Sequence, residues 1–173
     1  TVDGDEQERG RIRPNQSWAV ALGLVSLDRA VRIMDTVTRE LLTVYGLRTL
    51  SRGDLAYQPR RTQDNREGGY HPGLVWPWQS GAYIEGMLVA YGRDRTIEIL
   101  NEYGYFDGVM GAAARNNGFL AEIHDEPYGF EKESLANGQG ERLRFEVRTR
   151  PTFNVSGAGA QAWSVAETLR GLS

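Results

Sequence analysis

SLDRAVRIMDTVTREL, residues 26–41, decides the class of this fold. Ser26 is a natural N-cap, and Asp28 falls in the first turn, where the helix dipole favours a negative charge. Ala30, Ile33, Met34, Val37 and Leu41 then recur at i, i+3, i+4, i+7 and i+11, one face of a 3.6-residue period. Gly46 lies just past the end of that helix.

Working outward, the charged, glycine-bearing Thr1–Arg11 reads as a loop. Pro14 suits the first turn of a short helix, with Trp18, Ala19 and Leu22 as its apolar stripe. Leu47–Pro72 shows no sustained period, and so long a loop in a compact domain is often functional. A third helix is predicted from Pro77 to Tyr91, stopped by Gly92, and a fourth over Thr96–Tyr103. In Gly104–Asn117 glycines and alanines pull in opposite directions. Gly157–Leu172 reads as a closing helix, with Ala162, Val165, Ala166 and Leu169 at helical spacing. Within residues 126–155, Leu143, Phe145 and Val147 alternate with charged residues, which predicts a short strand or hairpin. The sum is an all-α protein of about five helices joined by long polar loops.

Composition narrows the chemistry. A net charge of −3 argues against a nucleic-acid partner. The longest apolar run, around Ala19–Val25, is far below the ~20 residues of a membrane span. The absence of cysteine removes disulfides, thiolate nucleophiles and Cys-ligated zinc, and is compatible with a cytoplasmic setting. His71 and His124 are the only histidines, too few for a His-rich metal site, so no metal and no cofactor are expected. Phosphate-binding Gly-rich loops, HExxH and GxSxG are all missing, and Gly157-Ala158-Gly159-Ala160 is no dinucleotide fingerprint.

Three groups of residues can carry chemistry. YHPGLVWPW, residues 70–78, sets Tyr70, His71, Trp76 and Trp78 within nine positions. Flat aromatic rings with a polar handle suit the C–H faces and hydroxyl rims of sugars. Either Trp alone reads more readily as core at a helix start; beside Tyr70 and His71 the two readings are even. Glu122 lies between Leu120, Ala121 and Ile123, a partly apolar setting for a carboxylate. Glycosidases need two carboxyl groups flanking the scissile bond, although Glu122 taken locally reads first as an ordinary surface residue. Arg13, Asn15, Gln16, Gln161 and Trp163 complete the set, with guanidinium and amide groups able to pair sugar hydroxyls or merely to cap and solvate helices.

Several segments together resemble one family. They are Val2-Asp3-Gly4-Asp5-Glu6, Arg13-Pro14-Asn15-Gln16, Tyr45-Gly46-Leu47-Arg48-Thr49-Leu50-Ser51, Tyr70-His71 with Gly73, Val75-Trp76-Pro77-Trp78, Ala121-Glu122-Ile123-His124-Asp125 and Gln161-Ala162-Trp163-Ser164-Val165-Ala166-Glu167. Their order is similar to that of the C-terminal half of glycogen debranching enzymes of the amylo-α-1,6-glucosidase type, from about Val2 to Leu172. The resemblance implies the C-terminal part of an (α/α)6 toroid and inverting hydrolysis of α-1,6-linked glucosyl branches of a glycogen-like α-glucan. It places the general base at Glu122 and implies substrate contacts from Asn15, Gln16, Arg48, Tyr70, His71, Trp76, Trp78, Gln161 and Trp163. The family's general acid is an Asp in an upstream Gly-Arg-Asp segment; Gly92-Arg93-Asp94 matches it in letters but not in order or context.

Departures cluster beside the implied sugar site. Pro72 and Leu74 stand where the family has Gln and Thr, His124-Asp125-Glu126 replaces Phe-Asp-Gly, and Val155-Ser156-Gly157 carries no Cys. The insert at 126–155 is longer than the family's. Five helices are too few for a whole toroid, so residues 1–173 are expected to be the C-terminal portion of one domain, which self-associates or needs the missing N-terminal half. Two other readings stand beside the hydrolase: a non-catalytic carbohydrate-binding or scaffold piece, and a related toroid glycosidase acting on another α-glucoside.

Overall fold

The computed structural model describes residues 10–61, 70–128, 130–134, 141–145 and 155–172. The expected Val2–Glu6 motif and Val147 lie outside them. Among the described residues five helices form: α1 (Gln16–Ala21), α2 (Leu27–Leu41), α3 (Ser80–Glu102), α4 (Tyr105–Arg115) and α5 (Ala162–Leu172). Seven short strands accompany them: β1 (Leu42–Thr43), β2 (Gly46–Arg48), β3 (Val75–Trp76), β4 (Ile123–His124), β5 (Phe130–Ser134), β6 (Glu141–Phe145) and β7 (Val155–Ser156). No helix among the described residues is long and apolar enough to cross a membrane.

Helix α2 forms as its period predicts. Ser26 holds the extended N-cap conformation, and Ala30, Met34, Val37 and Leu41 are buried together with Thr38. Their face meets α3, where the Thr38 and Tyr83 hydroxyls lie 2.8 Å apart, and Val20, Leu47, Met87, Leu100 and Tyr105 complete the core. Fully burying one such side chain contributes roughly 1.5–3 kcal/mol. Helix α1 departs from expectation: Ser17 and Val20 face inward, and Leu22 is exposed. Six residues are too few for a stripe to be read reliably, and Pro14 serves the preceding turn by accepting the Ser17 N–H at 2.9 Å.

The two helices predicted on either side of Gly92 run on as α3. A 3-10 turn at Pro77–Gln79 precedes it, and Gly92, at φ 73° and ψ 178°, breaks the helical geometry inside it. That left-handed φ is one an L side chain rarely adopts, so the sequence stop is real although the chain resumes helix at once. The ambiguous stretch after Gly104 becomes α4. Helix α5 lies against α3 so closely that a Cβ on Gly171 would sit 3.3 Å from the Gly81 Cα. Arg170 of α5 pairs with Glu85 of α3 and with Glu167.

Five strands form one antiparallel sheet in the order β1-β2-β3-β4-β7. Leu47 faces Trp76 in register, Val75 faces His124, and Ile123 faces Ser156. The all-α reading missed this sheet because strands of two or three residues present no alternation to read. Gly46, which follows the end of α2, belongs to the β1–β2 hairpin, whose Thr43 hydroxyl donates to the Gly46 carbonyl at 2.9 Å. The hairpin expected from residues 143–147 is present as β5 paired with β6, Phe130 facing Phe145.

Arg48 and Glu126 are both fully buried beside the sheet. Nε and Nη2 of Arg48 donate to the two Glu126 carboxylate oxygens at 2.6 and 2.8 Å, and Nη1 donates to the Leu42 carbonyl at 3.0 Å. The Tyr57 hydroxyl adds a third bond to Glu126 at 2.5 Å. Burial by itself raises the Glu126 carboxyl pKa; the hydrogen bonds and charge of Arg48, with the Tyr57 hydroxyl, outweigh it and hold the group below the usual carboxylate value. The segment after β2, expected to lack structure, is pinned at several points. Thr49 N–H donates to Leu74 O at 3.1 Å, Gln58 N–H to Pro72 O at 2.6 Å, and Glu126 N–H to Pro59 O at 2.8 Å.

Removing one partner strands a charge in the interior. Arg48→Met should lower the unfolding free energy by about 3–5 kcal/mol, whereas Arg48→Met with Glu126→Leu should recover most of that loss. Urea unfolding of the two variants checks both; equal losses would show that the pair is not what holds this region.

Candidate active site

The β3-β4-β7 side of the sheet gathers three segments that are far apart in sequence. β3 carries Trp76 of the aromatic run, β4 begins one residue after Glu122, and β7 leads into Gly157 and Ala158. Glu122 N–H donates to the Ala158 carbonyl at 2.9 Å, and Ala158 N–H returns a bond to Glu122 Oε2 at 2.9 Å. The Tyr70 hydroxyl donates to Oε1 at 2.5 Å. Each carboxylate oxygen therefore has one strong donor, and since an ionised carboxylate offers about four acceptor positions, each keeps capacity for a water or sugar hydroxyl. The side chain is half-buried.

Gly157 makes that grip sterically possible. A Cβ there would lie 3.0 Å from Glu122 Cδ and 3.1 Å from Glu122 Cβ, and its φ is 73°. Both the close approach and the left-handed backbone require glycine.

The aromatic rings pack around Tyr70. Its ring stands edge-on to His71 at 4.9 Å and to Trp76 at 4.7 Å, while His71 and Trp76 lie nearly parallel at 5.9 Å. Trp76 is buried with its indole N–H on the Tyr70 carbonyl at 3.3 Å, whereas His71 is exposed. Arg13 Nη1 donates to the carbonyls of Thr49 and His71 at 3.1 and 3.2 Å, tying the loop to the β2 end of the sheet. Trp78, half-buried, contacts Trp163 of α5 and Trp18 of α1.

The sequence-predicted residues thus divide. Tyr70 reaches Glu122 and gathers His71 and Trp76 around its own ring, with Trp78 and Trp163 stacked on each other. Gln161 joins the same region through its backbone N–H, which donates to Leu120 O at 2.9 Å. Asn15 and Gln16 are exposed at the start of α1. Arg48 is placed elsewhere than expected: three of its nitrogens are spent on Glu126 and Leu42, with 1% of the residue exposed. Sequence reasoning missed Gly157 and Ala158, whose contributions are a missing side chain and a backbone N–H; the only trace was a short Gly-Ala repeat. Asp94, in the Gly92-Arg93-Asp94 segment, is exposed beside the break in α3. Among the described residues no group of three or more His, Asp or Glu side chains is placed to hold a metal ion.

His124, in the departure from the family pattern, is buried and stacked on Tyr45 at 4.7 Å. Burial pushes its pKa down to about 4.

Compared with known families, residues 1–139 match the model described as amylo-alpha-1,6-glucosidase. No curated protein matches the chain. The matched span contains the aromatic run and Glu122; Gly157, Ala158 and Trp163 lie beyond it.

The buried imidazole gives the fold a defined acid sensitivity. Because the folded pKa of about 4 lies below the ordinary 6.5, the unfolded chain binds the proton first. The contribution is complete above pH 6.5, falls as pH drops toward 4, and stops falling below that, for a total of about 3 kcal/mol. Glu126 adds its own loss only as pH falls through and below the carboxylate range. Between pH 6.5 and 5, His124→Gln should therefore flatten the slope of unfolding free energy against pH; an unchanged slope would move the effect to another group.

Proposed function

The chain belongs to the amylo-alpha-1,6-glucosidase family, and on that premise we propose that it supplies the general base of an inverting hydrolase of α-1,6-linked glucosyl branches. The observation that carries this reading is the two-point grip on Glu122, one donor to each carboxylate oxygen beside an aromatic cluster. Hydrolysis at an anomeric carbon with inversion needs a carboxylate on the face opposite the leaving oxygen. Glu122 takes a proton from water as the water oxygen bonds to that carbon. The bond to the leaving oxygen breaks, and a carboxylic acid ~6.5–9.5 Å from the base protonates it. The net charge of −3 and the aromatic walls suit a neutral α-glucan.

The acid is assigned to a segment outside these 173 residues, because the one Gly-Arg-Asp here lies exposed beside the break in α3. The architecture proposed is the C-terminal part of an (α/α)6 toroid. The groove of about 310 Å³ lined by Ile84, Leu88, Ile97, Leu100 and Phe106 together with Arg93 and Thr96 supports it, as a face that further helices would cover.

In the complete enzyme, Glu122→Gln should cut kcat on a branched α-glucan by about 10²–10⁴-fold while leaving glucan binding within twofold, which steady-state kinetics and a binding titration read separately. Turnover at the native level would remove Glu122 from the role of base. Gly157→Ala pushes the carboxylate out of place rather than deleting it, so kcat should fall about 10²-fold with KM nearly constant.

A further inference from the structure

The chain just before residue 61 is held against the candidate active site at two places. Gln58 N–H donates to the Pro72 carbonyl at 2.6 Å, and Glu126 N–H donates to the Pro59 carbonyl at 2.8 Å. Arg61 N–H adds a longer contact to Asp125 Oδ1 at 3.4 Å. Arg61 is thereby tied both to the aromatic loop and to the residues just past β4. Its side chain is half-buried, and its guanidinium carbon lies over the Tyr70 ring, 5.4 Å from the centroid. Its Nε is buried and has no hydrogen-bond partner among the described residues. A buried donor without an acceptor is unfavourable, so hydrogen bonding at Nε does not account for the placement. What the guanidinium meets is a π face, which attracts a cation within about 6 Å of the ring centroid.

That ring is the one whose hydroxyl donates to Glu122 Oε1 at 2.5 Å. A cation over a phenol stabilises negative charge on the ring, and the O–H becomes a stronger donor to an anionic acceptor. Arg48 makes the comparison. It also lies over a tyrosine ring, that of Tyr128 at 5.9 Å, but its nitrogens are engaged by Glu126 and Leu42. Arg48 grips its carboxylate directly. Among the described residues no hydrogen bond or ion pair joins Arg61 to Glu122, so Arg61 acts on that carboxylate through the phenol and leaves its remaining acceptor positions open.

We infer that Arg61 is a positioning residue for the base: through the Tyr70 ring it strengthens the hydroxyl's hold on Oε1, and so fixes the direction in which Glu122 meets the attacking water. This rests on the hydrolase reading, which makes Glu122 the base and gives Arg61 no role. The two sides of the carboxylate are held differently. Oε2 is fixed by the backbone N–H of Ala158, whereas Oε1 depends on a side chain whose ring must itself be held. His71 and Trp76 pack on that ring, and Arg61 sets a charge over it.

The test is steady-state kinetics of the complete enzyme on a branched α-glucan. Arg61→Met keeps the length of the side chain and removes the charge; it should lower kcat about tenfold and leave KM within about twofold. Arg61→Lys, which keeps a cation for the ring, should restore most of kcat. Because the effect passes through the hydroxyl, Arg61→Met should change kcat by less than about twofold in a Tyr70→Phe background. Arg61→Gln, assayed alongside, keeps the test decisive if the Met variant unfolds. An unchanged kcat, a loss that persists undiminished without the Tyr70 hydroxyl, or a loss that Lys does not restore overturns the positioning role. So does a rise in KM at constant kcat, which would make Arg61 a substrate contact instead. Glu122→Gln separates the two claims: its inactivity beside a fully active Arg61→Met sinks the positioning role alone, whereas a fully active Glu122→Gln sinks the hydrolase reading beneath it.

Discussion

The buried ion pair between Arg48 and Glu126 is the constraint on which the rest of the described structure depends. It joins β2 to the residue two beyond β4, takes in the β1 carbonyl of Leu42, and recruits Tyr57 from the long segment between β2 and β3. Two charges removed from water cost several kcal/mol each, and only their bidentate geometry offsets this. Any other register of these strands would bury one charge without its partner. A pair of this kind adds little to net stability over well-packed apolar residues, but it penalises every wrong arrangement, and the arrangement it permits is the one that aligns β3, β4 and β7.

That alignment is what makes a site out of scattered residues. Glu122 sits at the edge of the sheet rather than within it, so its backbone is held by Ala158 while its carboxylate reaches the surface. The contrast with Glu126, four positions on, is instructive. Glu126 is fully buried, with both oxygens consumed by Arg48 and Tyr57, and serves structure. Glu122 is half-buried, with one donor on each oxygen. Two glutamates in one short segment differ in burial and in hydrogen-bond partners because of what lies across the sheet from each of them.

The helices were legible because each carries its signal locally. The α2 face, the break at Gly92 and the closing helix all follow from periods and punctuation within about fifteen residues. The sheet was not, since its strands are too short for alternation and exist only through pairing with distant segments. The candidate site was half legible: Glu122, Tyr70, His71 and the tryptophans stood out by type and spacing and by family resemblance. Arg48 also stood out, and a guanidinium in a recognisable motif gave no sign that its partner was a carboxylate 78 positions away.

By itself, then, the sequence determined the helical content and the aromatic set, because propensity, periodicity and residue chemistry act over a few neighbouring positions, while the candidate base at Glu122 followed from the family resemblance. Only the tertiary structure decided which of these residues meet. The two groups that hold Glu122 lie 52 residues before it and 36 after it, and one of them is a backbone N–H with no side-chain signature. A hydrogen bond across a sheet depends on register, and register is set by the whole set of packed and paired segments at once.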